Sequence, residues 1–181
     1  MSQIPPSKRS KSDLKAQSFC YEIRKRITAE LAATFGYSQK RMDAHIRKIT
    51  AWMPEDRRKE AAAHLQEVEE GFDFWFIQQE RVRILTFCSD ISCHMRAANT
   101  IWPEYWSEFC ERRLEWDRAM ECCNKLQDEL QYIAETLPAD KNKYMRIVLD
   151  IEALFKMIKS LRQADNRFKK HLKDAPGGDM V

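Results

Sequence analysis

The sequence contains few residues that break helices and no long apolar run. Its 181 residues include only four glycines and six prolines, a composition that favours long helices over strands and tight turns. No apolar segment approaches the roughly 20 residues that a transmembrane helix needs. The polar, basic N-terminus also lacks the apolar core of a signal peptide. We therefore expect an all-α protein that is cytoplasmic and has no membrane contact.

The sequence also lacks the spacings that metal sites and catalytic sites require. The six cysteines form no CxxC pair, and we interpret them as reduced thiols in a chain too large to need disulfides. Four glycines cannot build a phosphate-binding loop. Cys93 and His94 are neighbours, but adjacent residues on a helix point about 100° apart. The sequence thus predicts no cofactor, no metal site and no enzymatic activity, with an enzyme using Cys93 or His94 as the most remote hypothesis.

Apolar residues recur at helical spacing along most of the chain and predict five helical segments. The predicted segments are 12–35, 38–53, 55–101, 103–137 and 140–172. Ser12 and Ser38 are expected to cap the first two helices, and Gly36 to end the first. Pro54 is expected to end or kink the second.

Three further residues are expected to set the ends of the later helices. Gly71 is a possible break in the long third segment, and Pro103 suits the first turn of the fourth. Asp140 is expected to cap the last helix. The short connection before it predicts that the last two helices are antiparallel neighbours.

These segments predict one folded domain with unfolded ends. Residues 1–11 are expected to form a flexible basic arm, and 174–181 a disordered tail. Residues 12–173 would form an up-and-down bundle of long antiparallel helices. Within it, 12–54 is a possible N-terminal helical extension, and the sequence leaves open whether that extension packs into the bundle.

The last predicted helix has two distinct faces. Its apolar row consists of Tyr144, Ile147, Ile151, Leu154, Ile158, Leu161, Phe168 and Leu172, and only Asp165 interrupts it. The opposite face carries a basic strip of Lys156, Lys159, Arg167 and Lys170. Such a helix is typical of a bundle that binds a partner through its exposed cations.

Aromatic residues suggest buried surfaces rather than a ligand site. The cluster at 72–77 is apolar nearly all round, which predicts burial on more than one side, in a core and in a subunit interface. The five tryptophans lie in phase with apolar neighbours. We interpret them as core or subunit-interface residues in preference to platforms for stacking bases.

Charge is distributed unevenly along the chain although its net value is only +3. Residues 1–26 have a net charge of +5, residues 27–140 of −7, and residues 141–173 of +7. Basic ends and an acidic middle suit either a polyanionic ligand or electrostatic pairing between subunits. Solvated helix faces without a partner would give the same pattern.

The last two helices resemble a known family. The residues involved are CNKLQDELQYI at 123–133, Leu137-Pro138, Asn142-Lys143-Tyr144, Ile151 and Lys159-Ser160-Leu161-Arg162-Gln163. This stretch resembles the C-terminal hairpin of a four-helix-bundle family. The family includes proteins encoded in intervening sequences of large ribosomal RNA genes and the accessory variability proteins of diversity-generating retroelements.

The resemblance implies a ring-like homo-oligomer, a pentamer in the accessory proteins, with a positively charged outer surface. Members of the retroelement branch bind nucleic acid and the element's reverse transcriptase. By position, the implied basic surface comprises Lys156, Lys159, Arg162, Arg167 and Lys170. The chain departs from the family in its greater length and in having Lys159-Ser160-Leu161 where the family has a tryptophan-containing turn.

The sequence supports two main functional hypotheses. The first is a non-catalytic, oligomeric accessory protein that binds RNA or DNA through phosphate contacts. Its predicted contacts are the basic surface of the last helix together with Arg24, Lys25 and Arg26 of the first. The second hypothesis is a helical protein–protein adaptor or scaffold that does not bind nucleic acid.

Overall fold

The computed structural model describes residues 15–31, 34–137 and 141–174. Within these residues the chain is helical and contains no β-strand, so the all-α prediction is confirmed. None of the described helices is both long enough and apolar enough to span a membrane. The predicted arm at 1–11 and the predicted tail, apart from Asp174, lie outside the described residues.

The described residues contain five α-helices, two of which continue into other helical forms. They are α1 (Lys15–Arg26), α2 (Gln39–Thr50), α3 (Glu55–Thr100), α4 (Trp106–Thr136) and α5 (Lys141–Ala164). A π-helical turn, Ile27–Leu31, follows α1. A 3-10 helix, Asp165–His171, follows α5, although the sequence predicted regular α-helix to residue 172.

The first two helices end differently from the prediction. Ser12, the expected cap of α1, lies outside the described residues. Regular α-helix ends at Arg26 instead of continuing to about Phe35. Phe35 and Gly36 both have positive φ, of 50° and 77°, and a left-handed glycine is typical of a helix end. Ser38 occupies the N-cap position of α2, but its side chain makes no capping hydrogen bond.

The third helix is a single element of 46 residues, about 70 Å long at 1.5 Å per residue. The helix is not interrupted at Gly71, so the prediction of a break there is wrong. A Cβ added at Gly71 would meet no atom within 4 Å, so no close contact requires glycine there. Pro54 takes the N-cap position of α3, whereas α2 ends earlier at Thr50.

The fourth helix begins at Trp106 and not at Pro103. Its start is fixed by Glu108, whose carboxylate accepts hydrogen bonds from the backbone N–H of Glu104 at 2.7 Å and of Tyr105 at 3.2 Å. A glutamate in this position satisfies backbone donors that a helix start leaves unpaired. Asp140, the expected cap of α5, lies outside the described residues.

Side-chain contacts show how the long helices run past one another. Arg83 and His94 of α3 bind Glu129 and Glu115 of α4 at 2.6 and 2.8 Å. As residue numbers rise along α3 they fall along α4, so the two helices are antiparallel. Helix α5 packs on α4, α1 packs on both α3 and α5, and α2 packs on α3.

A shared core joins α1 to the later helices. The buried members of the apolar row on α5 and the 3-10 helix are Tyr144, Ile147, Ile151, Leu154, Ile158 and Phe168. All of these except Phe168 share one core with Cys20, Ile23, Ile27 and Leu31. Residues 15–31 thus pack against α3 and α5 and do not stand apart from them.

The aromatic residues are more exposed within one chain than their helical phase predicted. Phe76 and Ile77 are buried, but Phe74 and Trp75 are exposed, and the side chain of Phe72 lies outside the described part. Trp116 is fully buried. The other four tryptophans, Trp52, Trp75, Trp102 and Trp106, are exposed, so the core interpretation is wrong for them and an interface role stays a prediction.

Candidate nucleic-acid interface

A buried ion pair fixes the end of α5 beside α4. Asp165 is 1% exposed, and its Oδ2 accepts hydrogen bonds from Arg112 Nε at 2.7 Å and from Trp116 Nε1 at 2.8 Å. Arg112 Nη1 also donates to the carbonyls of Ala98 and Ile101 at 2.6 and 2.7 Å. Asp165 therefore interrupts the apolar row because it holds a guanidinium that ties α3, α4 and the 3-10 helix together.

Backbone hydrogen bonds fix the residues that follow the 3-10 helix. The N–H of Lys173 donates to the carbonyl of Glu104 at 2.9 Å, and the N–H of Trp106 donates to the carbonyl of Lys173 at 3.2 Å. These two bonds form an isolated bridge between Tyr105 and Lys173. The lysine-rich segment is thereby held against the connection between α3 and α4.

Two tryptophans are exposed at this end of the molecule, each supported by a phenylalanine. Trp102 is 48% exposed, and its ring lies 5.1 Å from that of Phe168 in an edge-to-face arrangement. Trp106 is 42% exposed and lies 5.6 Å from Phe109. Aromatic pairs of this geometry hold both rings in place. Both tryptophans therefore present part of a positioned ring to solvent.

Besides the buried Arg112, three cationic side chains lie against the phenylalanines of the aromatic pairs. Arg167 lies over the ring of Phe168 at 4.9 Å, Arg113 over that of Phe109 at 5.4 Å, and Lys169 Nζ is 6.0 Å from the latter. These are cation–π distances. We call the surface formed by Trp102, Trp106, Arg113, Arg167 and Lys169 the aromatic end.

The predicted basic residues of α5 and the 3-10 helix differ in their surroundings. Lys156 pairs with Glu152 at 2.6 Å, and Arg162 donates to Asp117 of α4 at 2.8 Å. Lys159 and Lys170 are exposed. No carboxylate of the described residues forms an ion pair with Lys159, Lys170 or Arg167. These three cations can bind an anion without breaking an existing pair.

The predicted basic residues of α1 lie away from the aromatic end. Arg26 forms an ion pair with Asp150 of α5, which is about 22 Å along the helix from Asp165. Lys25 pairs with Glu22 at 2.8 Å. Arg24 and Lys25 line a shallow depression together with Tyr21, Thr28 and Ala29. The structure therefore divides the eight predicted basic residues between two regions, and only Arg167 belongs to the aromatic end.

Sequence reasoning missed four members of the aromatic end. Trp102 and Trp106 were interpreted as buried or interface residues, and Arg113 and Lys169 were not singled out. A usable signal was the lone Asp165 in an apolar row, because a buried carboxylate needs a cationic or hydrogen-bonding partner. That partner, Arg112, stands beside Arg113 on α4.

Among the described residues, the other titratable groups with shifted pKa are paired or buried. Burial alone raises the pKa of Glu115, but its hydrogen bonds with His94 and Arg118 outweigh that effect and hold the pKa below its usual value. Burial raises the pKa of the Cys20 thiol to about 11 and that of Cys88 to about 12. Such thiols are protonated and poorly nucleophilic at neutral pH. Among the described residues, no group of three or more His, Cys, Asp and Glu could hold a metal ion.

Comparisons with family models, with curated proteins and with solved structures found no match to this chain.

Proposed function

We propose that this chain is a non-catalytic, oligomeric nucleic-acid-binding accessory protein of the cytosol. In this proposal α1, α3, α4 and α5 form the up-and-down four-helix bundle implied by the resemblance to the retroelement accessory proteins. The observation that carries the proposal is the aromatic end, where each of two half-exposed tryptophans packs on a phenylalanine that also contacts a cationic side chain. The resemblance adds a reverse transcriptase as a protein partner to test.

The arrangement suits a single strand better than a duplex. Bases of a single strand can stack on exposed aromatic rings, each stacked base contributing about 1–3 kcal/mol. Trp102 and Trp106 would supply the rings. Arg167 of the aromatic end, together with Lys159 of α5 and Lys170 of the 3-10 helix, would bind phosphates, which carry affinity but little sequence information. Binding of this kind tolerates many sequences and depends strongly on salt.

The salt dependence gives the first quantitative test. Three phosphate contacts with a single strand predict a slope of about −2 in a plot of log affinity against log salt. Raising the salt from about 50 to about 200 mM should then weaken binding about 20-fold. The probe is a fluorescein-labelled deoxythymidine oligomer, followed by anisotropy with the nuclease-treated full chain. The absence of any binding at the lower salt would refute the proposal.

Two sets of substitutions separate the phosphate contacts from the stacking contacts. Changing Lys159, Arg167 and Lys170 to Glu should abolish measurable binding. Changing Trp102 and Trp106 to Ala should weaken binding at least about 10-fold while leaving the salt slope unchanged, because stacking releases no counterions.

Matched controls lie on α2 and after it, away from the aromatic end. Changing the exposed Lys40, Arg47 and Lys48 to Glu alters the net charge by the same amount, and Trp52→Ala removes an exposed tryptophan. Neither change should weaken binding more than about 2-fold if the site is local. Equal losses in the control and test variants would indicate non-specific attraction, against the proposal.

The adaptor hypothesis is the second candidate, and one observation favours it. Phe74 and Trp75 of α3 are exposed within one chain, and large apolar side chains in solvent commonly mark a protein interface. Light scattering on the purified chain, with the ratio of absorbance at 260 and 280 nm recorded before nuclease treatment, separates the two. Because both candidates allow self-association, an as-purified chain without bound nucleic acid would favour the adaptor.

A further inference from the structure

The middle of α3 carries an apolar stripe on the side away from the core. Val68, Trp75 and Val82 recur every seven residues and are 55%, 56% and 68% exposed. Trp75 and Ile84 are nine residues apart, which at 100° per residue is a half-turn beyond two full turns, so they point in opposite directions. Ile84 is fully buried. At the level of Trp75 the stripe therefore faces away from the core that buries Ile84.

Described residues next to the stripe widen it and give it polar edges. Phe74 is 67% exposed beside Trp75, and Gly71 contributes no side chain between Val68 and Trp75. Glu67 and Arg81 lie seven residues before and after Phe74, on the same side of the stripe. The surface is thus apolar at its centre, acidic at one end and basic at the other.

We propose that two copies of this chain associate through this stripe, with their α3 helices antiparallel and crossing near Phe74 and Trp75. The two-fold axis of such a pair brings Val68 onto Val82 of the partner subunit. It also brings Glu67 onto Arg81 of the partner subunit, and the same contacts recur on the other side of the axis. Glu67 and Arg81 meet opposite charges on the partner subunit only in this orientation.

The alternative orientation is disfavoured by the same residues. A parallel pair would set Glu67 beside Glu67 of the partner subunit and Arg81 beside its equivalent, and like charges in register repel. Gly71 adds a notch in which the bulky Trp75 of the partner subunit can lie. A Cβ at Gly71 would touch nothing within the chain, so the space is open to a second molecule.

The area places the pair among weak dimers. A buried aromatic side chain covers about 150–250 Å², so the exposed parts of Phe74 and Trp75 amount to about 500 Å² over two copies. The valines and the polar edges bring the total towards the lower limit of specific interfaces, about 1,000–1,200 Å². Association should therefore be reversible and visible in the micromolar range.

Sedimentation equilibrium on the nuclease-treated full chain tests the proposal. Between about 2 and about 200 μM, the mass should rise from 21.5 kDa towards twice that value. Val82→Lys should weaken association at least about 10-fold, because the symmetric interface contains the substitution twice. Leu149→Lys, at a 56% exposed site on α5, is the matched control and should change nothing.

A charge exchange tests the orientation. Glu67→Arg and Arg81→Glu should each weaken the dimer, and the chain carrying both substitutions should recover it. A mass that stays at 21.5 kDa up to about 200 μM would overturn the proposal and leave the stripe to another occupant. If Val82→Lys leaves the strength of association unchanged, the proposed interface is wrong. If the chain with both Glu67→Arg and Arg81→Glu does not recover association, the antiparallel register is wrong.

The proposal does not depend on nucleic-acid binding. Dimerisation is measured on protein freed of nucleic acid, with an oligomer-binding assay run on the same variants. Association that appears only when nucleic acid is added would overturn the stripe as a dimer interface and leave the proposed function standing. A chain that forms the dimer but does not bind the oligomer would overturn the proposed function and leave the dimer interface standing.

Discussion

Removing the carboxylate of Asp165 should destabilise the protein more than any exposed ion pair does. Asp165 and Arg112 are both buried and joined at 2.7 Å. Asp165→Ala leaves the guanidinium without its counter-charge, a change that typically costs about 3–5 kcal/mol. Asp165→Asn keeps an acceptor for Arg112 and Trp116, so it should cost less, about 1–3 kcal/mol.

Urea unfolding followed by circular dichroism measures the effect. With an m-value of about 2 kcal/mol/M, Asp165→Ala should lower the midpoint by about 1.5–2.5 M. Asp117→Ala removes the partner of Arg162 at a half-exposed site between α4 and α5 and should cost less than about 1 kcal/mol. Equal midpoints for Asp165→Ala and Asp117→Ala would refute the reasoning that burial makes the difference.

Three further predictions concern α3 and its neighbours. Burial and the nearby Glu129 raise the pKa of Glu80 from 4.5 to about 7. Between these two pH values the folded state keeps a proton that the unfolded state has released, so the stability of the protein falls as pH rises from 4.5 to 7. Glu80→Gln should therefore add about 1–2 kcal/mol to the free energy of unfolding at pH 8, measured by urea titration. Gly71→Ala, measured by thermal unfolding at about 1 μM, should stabilise the chain by about 0.5–1 kcal/mol. Tyr144→Phe removes the hydrogen bond that the hydroxyl donates to the Phe35 carbonyl at 2.6 Å, and should cost about 1–2 kcal/mol in the same assay.

Periodicity predicted which residues form the core because it depends only on local geometry. The apolar row of α5 became the buried face of that helix, and the third segment became one long helix. The helix starts were less predictable. Pro103 suited a first turn, yet Glu108 and the contacts of Lys173 place the start of α4 at Trp106. The Glu108 contacts are local, but those of Lys173 join residues distant in sequence, so no local pattern reveals them.

The candidate site also combines contacts that local spacing predicts with contacts that depend on how the helices pack. The pairing of Lys156 with Glu152 follows from their four-residue spacing, and could have been predicted. The pairing of Arg162 with Asp117 joins two helices, and so depends on how α4 and α5 pack. Trp102 and Trp116 both lie near apolar neighbours in sequence, but only the packing shows that one is half-exposed and the other buried.

The two proposed surfaces together predict how the protein would bind a long strand. Trp102 follows the end of α3 by two residues and lies about 40 Å from Trp75 in the direction of the helix axis. An antiparallel dimer that crosses at Trp75 would therefore hold its two aromatic ends about 80 Å apart. A strand shorter than that distance can reach one end, whereas a longer strand can reach both and gain avidity without any new contact. An oligomer of about 60 nucleotides should therefore bind much more tightly than one of about 8 nucleotides. Val82→Lys should remove the part of this advantage that comes from avidity, since it separates the two sites while leaving each intact. If the advantage of the long strand survives in the monomeric variant, additional sites along the strand account for it, and the dimer contributes nothing to binding.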